Sequence, residues 1–531
     1  MSKKQTLIKN FPFKQMRENQ KSVLEKIGEN WDKYKYFVME CPTGFGKSAV
    51  SYAIGSSVHD SYLVTATKQL QDQYSKDFLE PQVVSLKGKS NYRCNVNPEF
   101  NVECAPCIVD GGMMQQCKRN RICSYYNQRD KAISSQIAVL SSSLFFSIAD
   151  PINKFKPRSI LIVDECHLLE GQIVQWATLQ ISPSQLLKEY DIEIPKHNKQ
   201  SGYESNKSWL YDVWNIINKK KFDLFEEVRD ILEGKDPDSL TDDEIQELLS
   251  SNSLYFKIEK LYRKFKIFFE SIKKESWLCE PQDDGVVLTP IDIQDIFNRY
   301  IKKMAIDKIF FMSATILDAV GFSKNLGLKK EETAIIKIEP DFPPHKSPII
   351  YKPCGYMNYN KIESTIPKII QSVTEILNNH PNEKAIIHTG NYRIAQAIYD
   401  GVNSNRLIIK QEGETNETII KKHTQSKEPT VLISPSLTTG VDLKDELSRF
   451  QIIIKLPFMS LSDKRVSKKI ETDNDWYVCE MFRTLIQAAG RSTRSQDDWS
   501  TTYVLDSSFY SWVNKYKKWF SKNFLQRIKW K

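Results

Sequence analysis

The chain has 531 residues, a length that predicts about three or four domains, each able to bury an ordinary hydrophobic core. Its 40% hydrophobic and 27% charged residues are typical of a soluble globular protein, and a formal charge of +9 permits a nucleic-acid partner without arguing for one. The N-terminus carries no apolar signal, and the longest uncharged stretch, residues 132–149, is too short and too rich in serine to cross a membrane. We therefore expect an intracellular protein with no membrane partner.

Short apolar runs predict two groups of β-strands separated by helical stretches. Most runs are apolar throughout rather than alternating, as in parallel strands that are buried on both faces. The pattern predicts an α/β protein with two parallel-sheet lobes. The early runs are Tyr36–Glu40, Tyr62–Thr67, Val83–Leu86, Ile137–Leu140, Ile160–Asp164 and Ile309–Met312, and the late ones are Ala385–Thr389, Leu407–Lys410, Val431–Ser434, Gln451–Leu456 and Thr502–Leu505.

A phosphate-binding loop is predicted between the first of these strands and a following helix, because residues 41–48 read Cys-Pro-Thr-Gly-Phe-Gly-Lys-Ser. Its glycines let backbone N–H groups turn towards a phosphate, its lysine bridges the β- and γ-phosphates, and its serine hydroxyl coordinates Mg²⁺. The general pattern opens with glycine, whereas this chain has Cys41 there. The candidate ATP ligands in this loop are Thr43, Gly44, Gly46, Lys47 and Ser48. Upstream, Arg17 and Gln20 are candidates for the adenine, since an amide can pair with it through two hydrogen bonds.

Five of the ten cysteines fall within thirty residues: Cys94, Cys104, Cys107, Cys117 and Cys123. In a reducing compartment such a cluster indicates a metal rather than disulfides. Four thiolates bind either Zn²⁺ or an iron–sulfur cluster, and the spacing alone does not decide between them. Basic and aromatic residues surround the cysteines, so this segment is interpreted either as a wedge beside an entering duplex or as a solvated surface.

An acidic box follows the fifth early strand, where the chain reads Asp164-Glu165-Cys166-His167. An aspartate at the end of a strand can hold Mg²⁺ through water, and the adjacent glutamate can polarise the attacking water. Much later, residues 487–494 read Gln-Ala-Ala-Gly-Arg-Ser-Thr-Arg. Such a distant arginine pair indicates that the γ-phosphate is sensed from the second lobe, as in a motor that opens and closes a cleft with each ATP.

Between the acidic box and the last early strand, residues 180–289 lose the strand pattern and become helical and highly charged. Thr241 and Glu244 form a predicted capping box. An apolar stripe at helical spacing is interpreted as a packing face: Tyr255, Ile258, Tyr262, Phe265, Phe269 and Ile272. The basic, aromatic tail after Asp506 is interpreted as an amphipathic helix that caps the second lobe rather than as a DNA-binding arm.

Together these motifs resemble those of superfamily 2 helicases of the XPD/DinG type, which carry an iron–sulfur domain. The matching stretches run nearly from end to end, and their order is more specific than any one of them. They are Met16–Gln20, the phosphate loop, Thr65–Leu70, Leu86–Cys94, Asp164–His167, Ser313–Thr315, Ser434–Asp442 and Gln487–Arg494.

The resemblance implies roles for the later motifs. Ser313 and Thr315 would couple hydrolysis to movement of the lobes, and Gly440 and Asp442 would sense nucleotide and DNA. Three side chains would face the γ-phosphate, the arginines acting as fingers: Gln487, Arg491 and Arg494. Thus the predicted catalytic set comprises Lys47, Asp164, Glu165 and these three residues.

The resemblance also favours a [4Fe–4S] cluster held by Cys94, Cys107, Cys117 and Cys123. The spacing of archaeal XPD-like chains would instead use Cys104 and release Cys117. A structural zinc remains the alternative.

The implied architecture has two RecA-like lobes, the first interrupted by two inserts. The first lobe is predicted at 1–87, 136–179 and 290–325, the iron–sulfur insert at 88–135, the helical arch-like insert at 180–289 and the second lobe at 326–531.

The implied function is that of an ATP-dependent, 5′→3′ DNA helicase. It would be monomeric and would act on single-stranded DNA and on tailed or forked duplexes. The expected location is the cytoplasm of a prokaryote or of a phage-infected cell. The alternatives are a DNA-dependent ATPase that remodels protein–DNA complexes without strand separation, or action on RNA.

Overall fold

The computed structural model describes residues 1–78, 80–105, 107, 111–149, 155–197, 203–232, 241–271, 276–435, 445–490 and 498–530. Contacts between residues divide the chain into two compact units. The first unit comprises Met1–Met39, Lys47–Ser313 and Phe322–Ile336, and the second comprises Glu40–Gly46, Ala314–Gly321 and Lys337–Lys531. Within the ranges given above, no helix is long and apolar enough to cross a membrane.

The first unit is built on a seven-stranded sheet and a separate three-stranded sheet. The strands in chain order are β1 (Tyr36–Glu40), β2 (Ser61–Thr65), β3 (Val83–Leu86), β4 (Ile137–Ser141), β5 (Arg158–Asp164), β6 (Leu179–Ile181), β7 (Trp277–Gln282), β8 (Gly285–Pro290), β9 (Ala305–Ser313) and β10 (Thr333–Lys337). The large sheet has the order β10-β1-β9-β5-β2-β4-β3, and its pairs β9-β5, β5-β2, β2-β4 and β4-β3 are parallel. Each early apolar run overlaps one of these strands, which confirms the predicted α/β lobe.

Helices flank this sheet and form the insert that follows β6. They are α1 (Lys3–Lys9), α2 (Glu18–Glu29), α3 (Lys47–Gly55), α4 (Lys68–Asp77), α5 (Gly111–Arg119), α6 (Ser124–Ser134), α7 (Ser142–Ile148), α8 (Leu169–Ala177), α9 (Pro183–Tyr190), α10 (Tyr203–Leu232), α11 (Asp242–Ser271), α12 (Gln294–Ile296) and α13 (Ala319–Asn325).

The two long helices α10 and α11 pack on each other through aromatic side chains. The Trp214 ring lies 5.5 Å from the ring of Tyr262 and 5.2 Å from that of Phe269, and Ile258 and Phe265 are fully buried. These contacts confirm that the apolar stripe is a packing face; its last member, Ile272, lies outside the described residues. The predicted capping box is also present, since the backbone N–H of Thr241 donates to Glu244 Oε2 at 2.8 Å.

The helical prediction for 180–289 missed a β-hairpin. Strands β7 and β8 pair antiparallel, and β8 also pairs with β6 at the start of the segment. The turn ends in Asp284 and Gly285, the latter with a φ of 107°. Such a dipeptide between two short runs is a hairpin signal, because glycine adopts a positive φ without strain.

The second unit contains a second seven-stranded sheet. Its strands are β11 (Ile349–Gly355), β12 (Ala385–His388), β13 (Leu407–Ile409), β14 (Val431–Ser434), β15 (Phe450–Ile453), β16 (Thr501–Asp506) and β17 (Ile528–Trp530), in the order β13-β14-β12-β15-β16-β11-β17 with all six pairs parallel. Its helices are α14 (Ile362–Asn379), α15 (Tyr392–Gly401), α16 (Asn416–Gln425), α17 (Lys464–Thr472), α18 (Asn474–Ala489), α19 (Phe509–Lys515) and α20 (Lys522–Arg527). Every late apolar run overlaps a strand, so the second predicted lobe is confirmed too.

The basic tail belongs to the core of this second unit. Tyr516, Trp519, Phe520 and Phe524 are buried, and the ring of Phe520 lies 4.8 Å from that of Phe482 on α18. The interpretation as a helical cap is confirmed, and the tail then ends in β17, which pairs with β11.

Candidate nucleotide-hydrolysis site

The phosphate loop leaves β1 and leads into α3, the local order that the sequence predicts. Gly44 has a φ of 76° and Gly46 a φ of 86°, left-handed conformations in which a side chain would be strained. Cys41, in the place of the usual first glycine, is fully buried. Thr43 is exposed and Ser48 is half-buried. These features explain the residue types of the loop, while the ligand roles of Thr43 and Ser48 stay predictions.

Lys47, at the start of α3, forms an ion pair with the glutamate of the acidic box. Its Nζ lies 3.3 Å from Glu165 Oε1, and both side chains are largely buried. Glu165 follows the last residue of β5 and has a φ of 51°. For a non-glycine residue this backbone costs on the order of 1–3 kcal/mol, a strain that clusters at functional sites. The structure therefore brings together the loop lysine and the predicted base, 118 positions apart in the chain.

A third motif reaches the same glutamate. Ser313 Oγ donates to Glu165 Oε2 at 3.3 Å, and His167 Nδ1 lies 2.6 Å from the same serine oxygen and 3.4 Å from Glu165 Oε2. The contact follows from strand order, because β5 and β9 are neighbours and pair Asp164 with Met312. Glu165, His167 and Ser313 thus form one hydrogen-bonded group.

The two carboxyl groups of the box have opposite electrostatic surroundings. Burial raises the pKa of Asp164 to about 6, with a further contribution from the charge of Glu165. Burial acts in the same direction on Glu165, but His167 and Lys47 outweigh it and lower the pKa of that carboxyl to about 2. Glu165 is therefore ionised at neutral pH, whereas Asp164 is ionised by a narrow margin that a nearby cation would widen.

The donor set around Asp164 fits magnesium. Mg²⁺ prefers oxygen ligands and commonly binds through one or two carboxylates together with substrate phosphates. Asp164 is a buried carboxylate, and its Oδ1 accepts a hydrogen bond of 2.9 Å from the backbone N–H of Glu165.

One residue near Asp164 escaped the sequence reasoning. Tyr74 on α4 is buried, and its hydroxyl donates to Asp164 Oδ2 at 3.1 Å. Burial, followed by the charge of Asp164, raises the pKa of this phenol well above its usual range, so Tyr74 remains a donor. The sequence contains only a weak indication of a buried face on α4, because that face consists of two residues three positions apart, Gln71 and Tyr74.

The second unit places Gln487 beside the motif that begins at Ser313. Gln487 Nε2 donates to Thr315 Oγ1 at 3.1 Å, and Arg483 Nε donates to the carbonyl oxygen of Thr315 at 3.0 Å. Four predicted site residues lie outside the described residues: Gly440, Asp442, Arg491 and Arg494.

The predicted adenine ligands have a structural role at the start of α2. Gln20 is buried, and its Oε1 accepts from the backbone N–H of Arg17 at 3.0 Å. This bond is a helix cap. The adenine assignment stays a prediction.

Two of the five clustered cysteines, Cys107 and Cys117, have a raised pKa to which neighbouring thiols contribute. Burial, and then the charges of Cys117, Cys94 and Cys123, raises the pKa of Cys107 to about 12. The pKa of Cys117 is also raised, by burial and then by Cys94 and Cys123. The four thiols found in this set are the ones that the resemblance implies.

The fifth cysteine has a different environment. Burial and then Glu103 raise the pKa of Cys104, and Lys260 opposes the rise. Lys260 lies on α11 and forms an ion pair with Glu103, with 3.1 Å between Nζ and Oε1. This part of the insert therefore contacts α11. In the part of the chain that the structure describes, no three His, Cys, Asp or Glu side chains converge closely enough to hold one metal ion. The donor chemistry of Cys94, Cys107, Cys117 and Cys123 fits a four-thiolate group.

Comparison with known proteins agrees with the two sheets and the motifs. A helicase C-terminal domain model matches residues 373–527, and a model of the type III restriction enzyme res subunit matches residues 13–189. A probable ATP-dependent helicase of Methanocaldococcus jannaschii is 20% identical, covering 95% of this chain and 93% of its own length. The ATP-dependent DNA helicase YoaA of Escherichia coli is also 20% identical, with 94% and 93% covered. A solved XPD helicase structure superposes with a TM-score of 0.63 at 15% identity, covering 95% of this chain and 98% of the other.

These matches support an XPD/DinG-type superfamily 2 helicase. A second structural relative, Xpd4 of S. tokodaii, gives a TM-score of 0.56 at 16% identity over 97% of this chain and 99% of its own. The two seven-stranded sheets of this helicase are therefore RecA-like lobes. The helicase relatives and the matching helicase C-terminal domain model indicate that the chain is an ATP-dependent helicase that hydrolyses ATP.

Proposed function

We propose that this helicase moves 5′→3′ along single-stranded DNA and separates tailed or forked duplexes, driven by hydrolysis of Mg²⁺-ATP. The observation that carries the proposal is the contact of Lys47 with Glu165 beside Asp164. A phosphate-binding lysine next to an ionised glutamate and a buried aspartate is the arrangement that hydrolysis of a nucleoside triphosphate needs. One relative, YoaA, is a DNA helicase by name, which favours DNA over RNA as the substrate.

In this proposal each residue of the site has a separate task. Lys47 binds the β- and γ-phosphates, Asp164 and Ser48 hold Mg²⁺, and Glu165 accepts the proton of the attacking water. Magnesium supplies neutralisation of charge on the phosphate oxygens. His167 and Ser313 keep the Glu165 carboxylate oriented through the hydrogen bonds described above. The remaining assignments are Arg17 and Gln20 to the adenine, Gly440 and Asp442 to nucleotide sensing, and Gln487, Arg491 and Arg494 to the γ-phosphate.

We further propose that Cys94, Cys107, Cys117 and Cys123 hold a [4Fe–4S] cluster. The contribution of Cys94, Cys117 and Cys123 to the raised pKa of Cys107 supports this set, and the separate environment of Cys104 supports its exclusion. Thiolates bind such a cluster, and neighbouring cations stabilise their charge. Lys89 is one such cation: burial lowers its pKa, while the Cys107 thiol acts in the opposite direction.

The same insert presents basic side chains to nucleic acid. Arg119 and Arg121 are exposed, and basic side chains bind single strands by contact with their phosphates. Tyr126 is buried and lies 4.5 Å from Lys118 Nζ and 4.7 Å from the Arg129 guanidinium, so this ring packs inside the insert. The exposed arginines support the wedge interpretation of the insert.

The decisive test is the unwinding of tailed duplexes of both polarities, made of DNA and of RNA, with ATP turnover measured in parallel. We expect opening of the DNA duplex with a 5′ tail and stimulation of ATP turnover by single-stranded DNA. Preferential opening of the 3′-tailed or RNA duplex would contradict the direction or the substrate. Stimulated turnover without opening of any duplex would indicate a remodelling ATPase.

A further inference from the structure

A buried tyrosine connects the aspartate of the acidic box to a neighbouring helix. The side chain of Tyr74 is only 3% exposed. Its hydroxyl lies 3.1 Å from Asp164 Oδ2 and 3.3 Å from Ser51 Oγ. The Ser51 hydroxyl donates in turn to the carbonyl oxygen of Lys47 at 2.9 Å. A phenol has one proton, and the charged carboxylate is both the nearer and the stronger acceptor.

The position of Tyr74 is fixed from several sides. One turn earlier on α4, the fully buried Gln71 donates through Nε2 to the carbonyl oxygens of Leu86 on β3, at 2.7 Å, and Val139 on β4, at 3.0 Å. The Tyr74 ring also packs against Phe78, with the ring centres 6.1 Å apart. Because these contacts fix α4, the Tyr74 hydroxyl keeps its direction, as a group that orients another side chain must.

Two hydrogen bonds therefore hold the carboxylate of Asp164. Oδ1 accepts from the backbone N–H of Glu165, and Oδ2 accepts from Tyr74. The terminal torsion of an aspartate is broad, so a single bond would leave the group free to swing. A carboxylate has about four acceptor positions, so both oxygens retain room for a metal-bound water.

We propose that Tyr74 is a positioning residue that orients Asp164 for the binding of magnesium with ATP. The inference rests on the proposed function, because it takes Asp164 as the magnesium residue. Tyr74 lies outside the motifs that carry the helicase resemblance, and it acts through Asp164 without touching the nucleotide.

The test is the substitution Tyr74→Phe, which removes one oxygen and preserves the ring. The readout is the Mg²⁺ concentration that gives half-maximal binding of a fluorescent N-methylanthraniloyl-ATP to the full chain, without turnover. We expect this concentration to rise about tenfold, the effect typical of losing one hydrogen bond to a charged group. Binding of the same nucleotide in the absence of Mg²⁺ should not change.

Tyr62→Phe is the matched control. Tyr62 lies on β2 in the same sheet and is 1% exposed, and its hydroxyl donates to the carbonyl oxygen of Lys156 at 2.7 Å. This variant loses a buried phenol bond as well, so thermal unfolding should shift to a similar extent in both proteins. Only Tyr74→Phe should change the requirement for Mg²⁺. Equal Mg²⁺ requirements in the two variants would overturn the proposal and leave Tyr74 with a purely structural role.

A double-mutant cycle shows whether Tyr74 acts through Asp164. In an Asp164→Asn background, Tyr74→Phe should add little to the Mg²⁺ requirement, because the two changes remove the same interaction. Additive effects of the two substitutions on the Mg²⁺ requirement would show that Tyr74 does not act through Asp164. If the wild-type chain binds the nucleotide independently of Mg²⁺, the proposed function itself is contradicted. If nucleotide binding by the wild type depends on Mg²⁺ and Tyr74→Phe has the same Mg²⁺ requirement, only the positioning role of Tyr74 is contradicted.

Discussion

Replacing Glu165 by glutamine tests the centre of the hydrolysis site with a change of very few atoms. Glutamine keeps the shape of the side chain and its ability to hydrogen-bond, but it lacks the negative charge. The wild-type carboxylate lies 3.3 Å from Lys47 Nζ, 3.4 Å from His167 Nδ1 and 3.3 Å from Ser313 Oγ. The amide has one acceptor oxygen where the carboxylate has two, so the substitution keeps part of the network and removes its proton acceptor.

The size of the effect follows from that role. A positioned general base contributes about 10²–10⁴ in rate, which at about 1.4 kcal/mol per decade is roughly 3–5 kcal/mol of the barrier. Nucleotide binding should be retained or strengthened. Two unit charges 3.3 Å apart attract by about 5 kcal/mol at an effective dielectric constant of 20, so Lys47 is released from a strong competitor of the phosphates. Lys47→Ala should instead weaken nucleotide binding by about 10- to 100-fold, the loss of a charge-assisted hydrogen bond.

Phosphate release at saturating Mg²⁺-ATP and the binding of a fluorescent ATP analogue measure the two effects separately. Glu170→Gln is the matched control, because Glu170 lies on α8 and accepts from Asn325 Nδ2 at 2.6 Å. We expect that control to turn over ATP at the wild-type rate. Turnover by Glu165→Gln within about threefold of wild type would refute the assignment of Glu165 as the base, since a base contributes at least about 10².

Two further predictions concern the cysteines and the dependence on pH. Cys117→Ser should abolish the visible absorption of the purified protein, whereas Cys104→Ser should retain it; the opposite pattern would show that Cys104 is the ligand, and a colourless wild type would indicate zinc. For Asp164, the raised pKa of about 6 means that the carboxyl takes up a proton as the pH falls through this value. ATP turnover at limiting Mg²⁺ should therefore decline below about pH 6, with a midpoint that moves lower as Mg²⁺ is raised; a midpoint that is insensitive to Mg²⁺ would contradict this role.

The central strands were predictable because each one is buried on both faces and is therefore apolar throughout. β1, β3 and β14 have the predicted bounds. In the two large sheets, the strands that escaped prediction carry mixed sequences: β10 and β17 lie at sheet edges and are partly exposed, and β11 contains Lys352 and Pro353. An edge strand has a neighbour on one side only, so the apolar signal is weaker there.

The parts of the site that are contiguous in sequence were predictable, and the contacts between them were not. Lys47 and Glu165 each belong to a short motif whose residue types follow from the chemistry of phosphate and water. The contact of Ser313 with Glu165 depends instead on the pairing of β5 with β9, two strands separated in the chain by residues 165–304. Tyr74 depends on which face α4 turns towards the sheet, and one tyrosine in a polar helix does not reveal that.

The motif Ser313-Ala314-Thr315 gives the proposed coupling a concrete chemical path. Ser313 belongs to the first unit and contacts the carboxylate of Glu165, while Thr315 belongs to the second unit and contacts Gln487. The chain passes from one unit to the other between Ser313 and Ala314. A change in the hydrogen bonds of Glu165 during hydrolysis would therefore act on a serine that is only two residues before Thr315, whose side chain is bonded to Gln487.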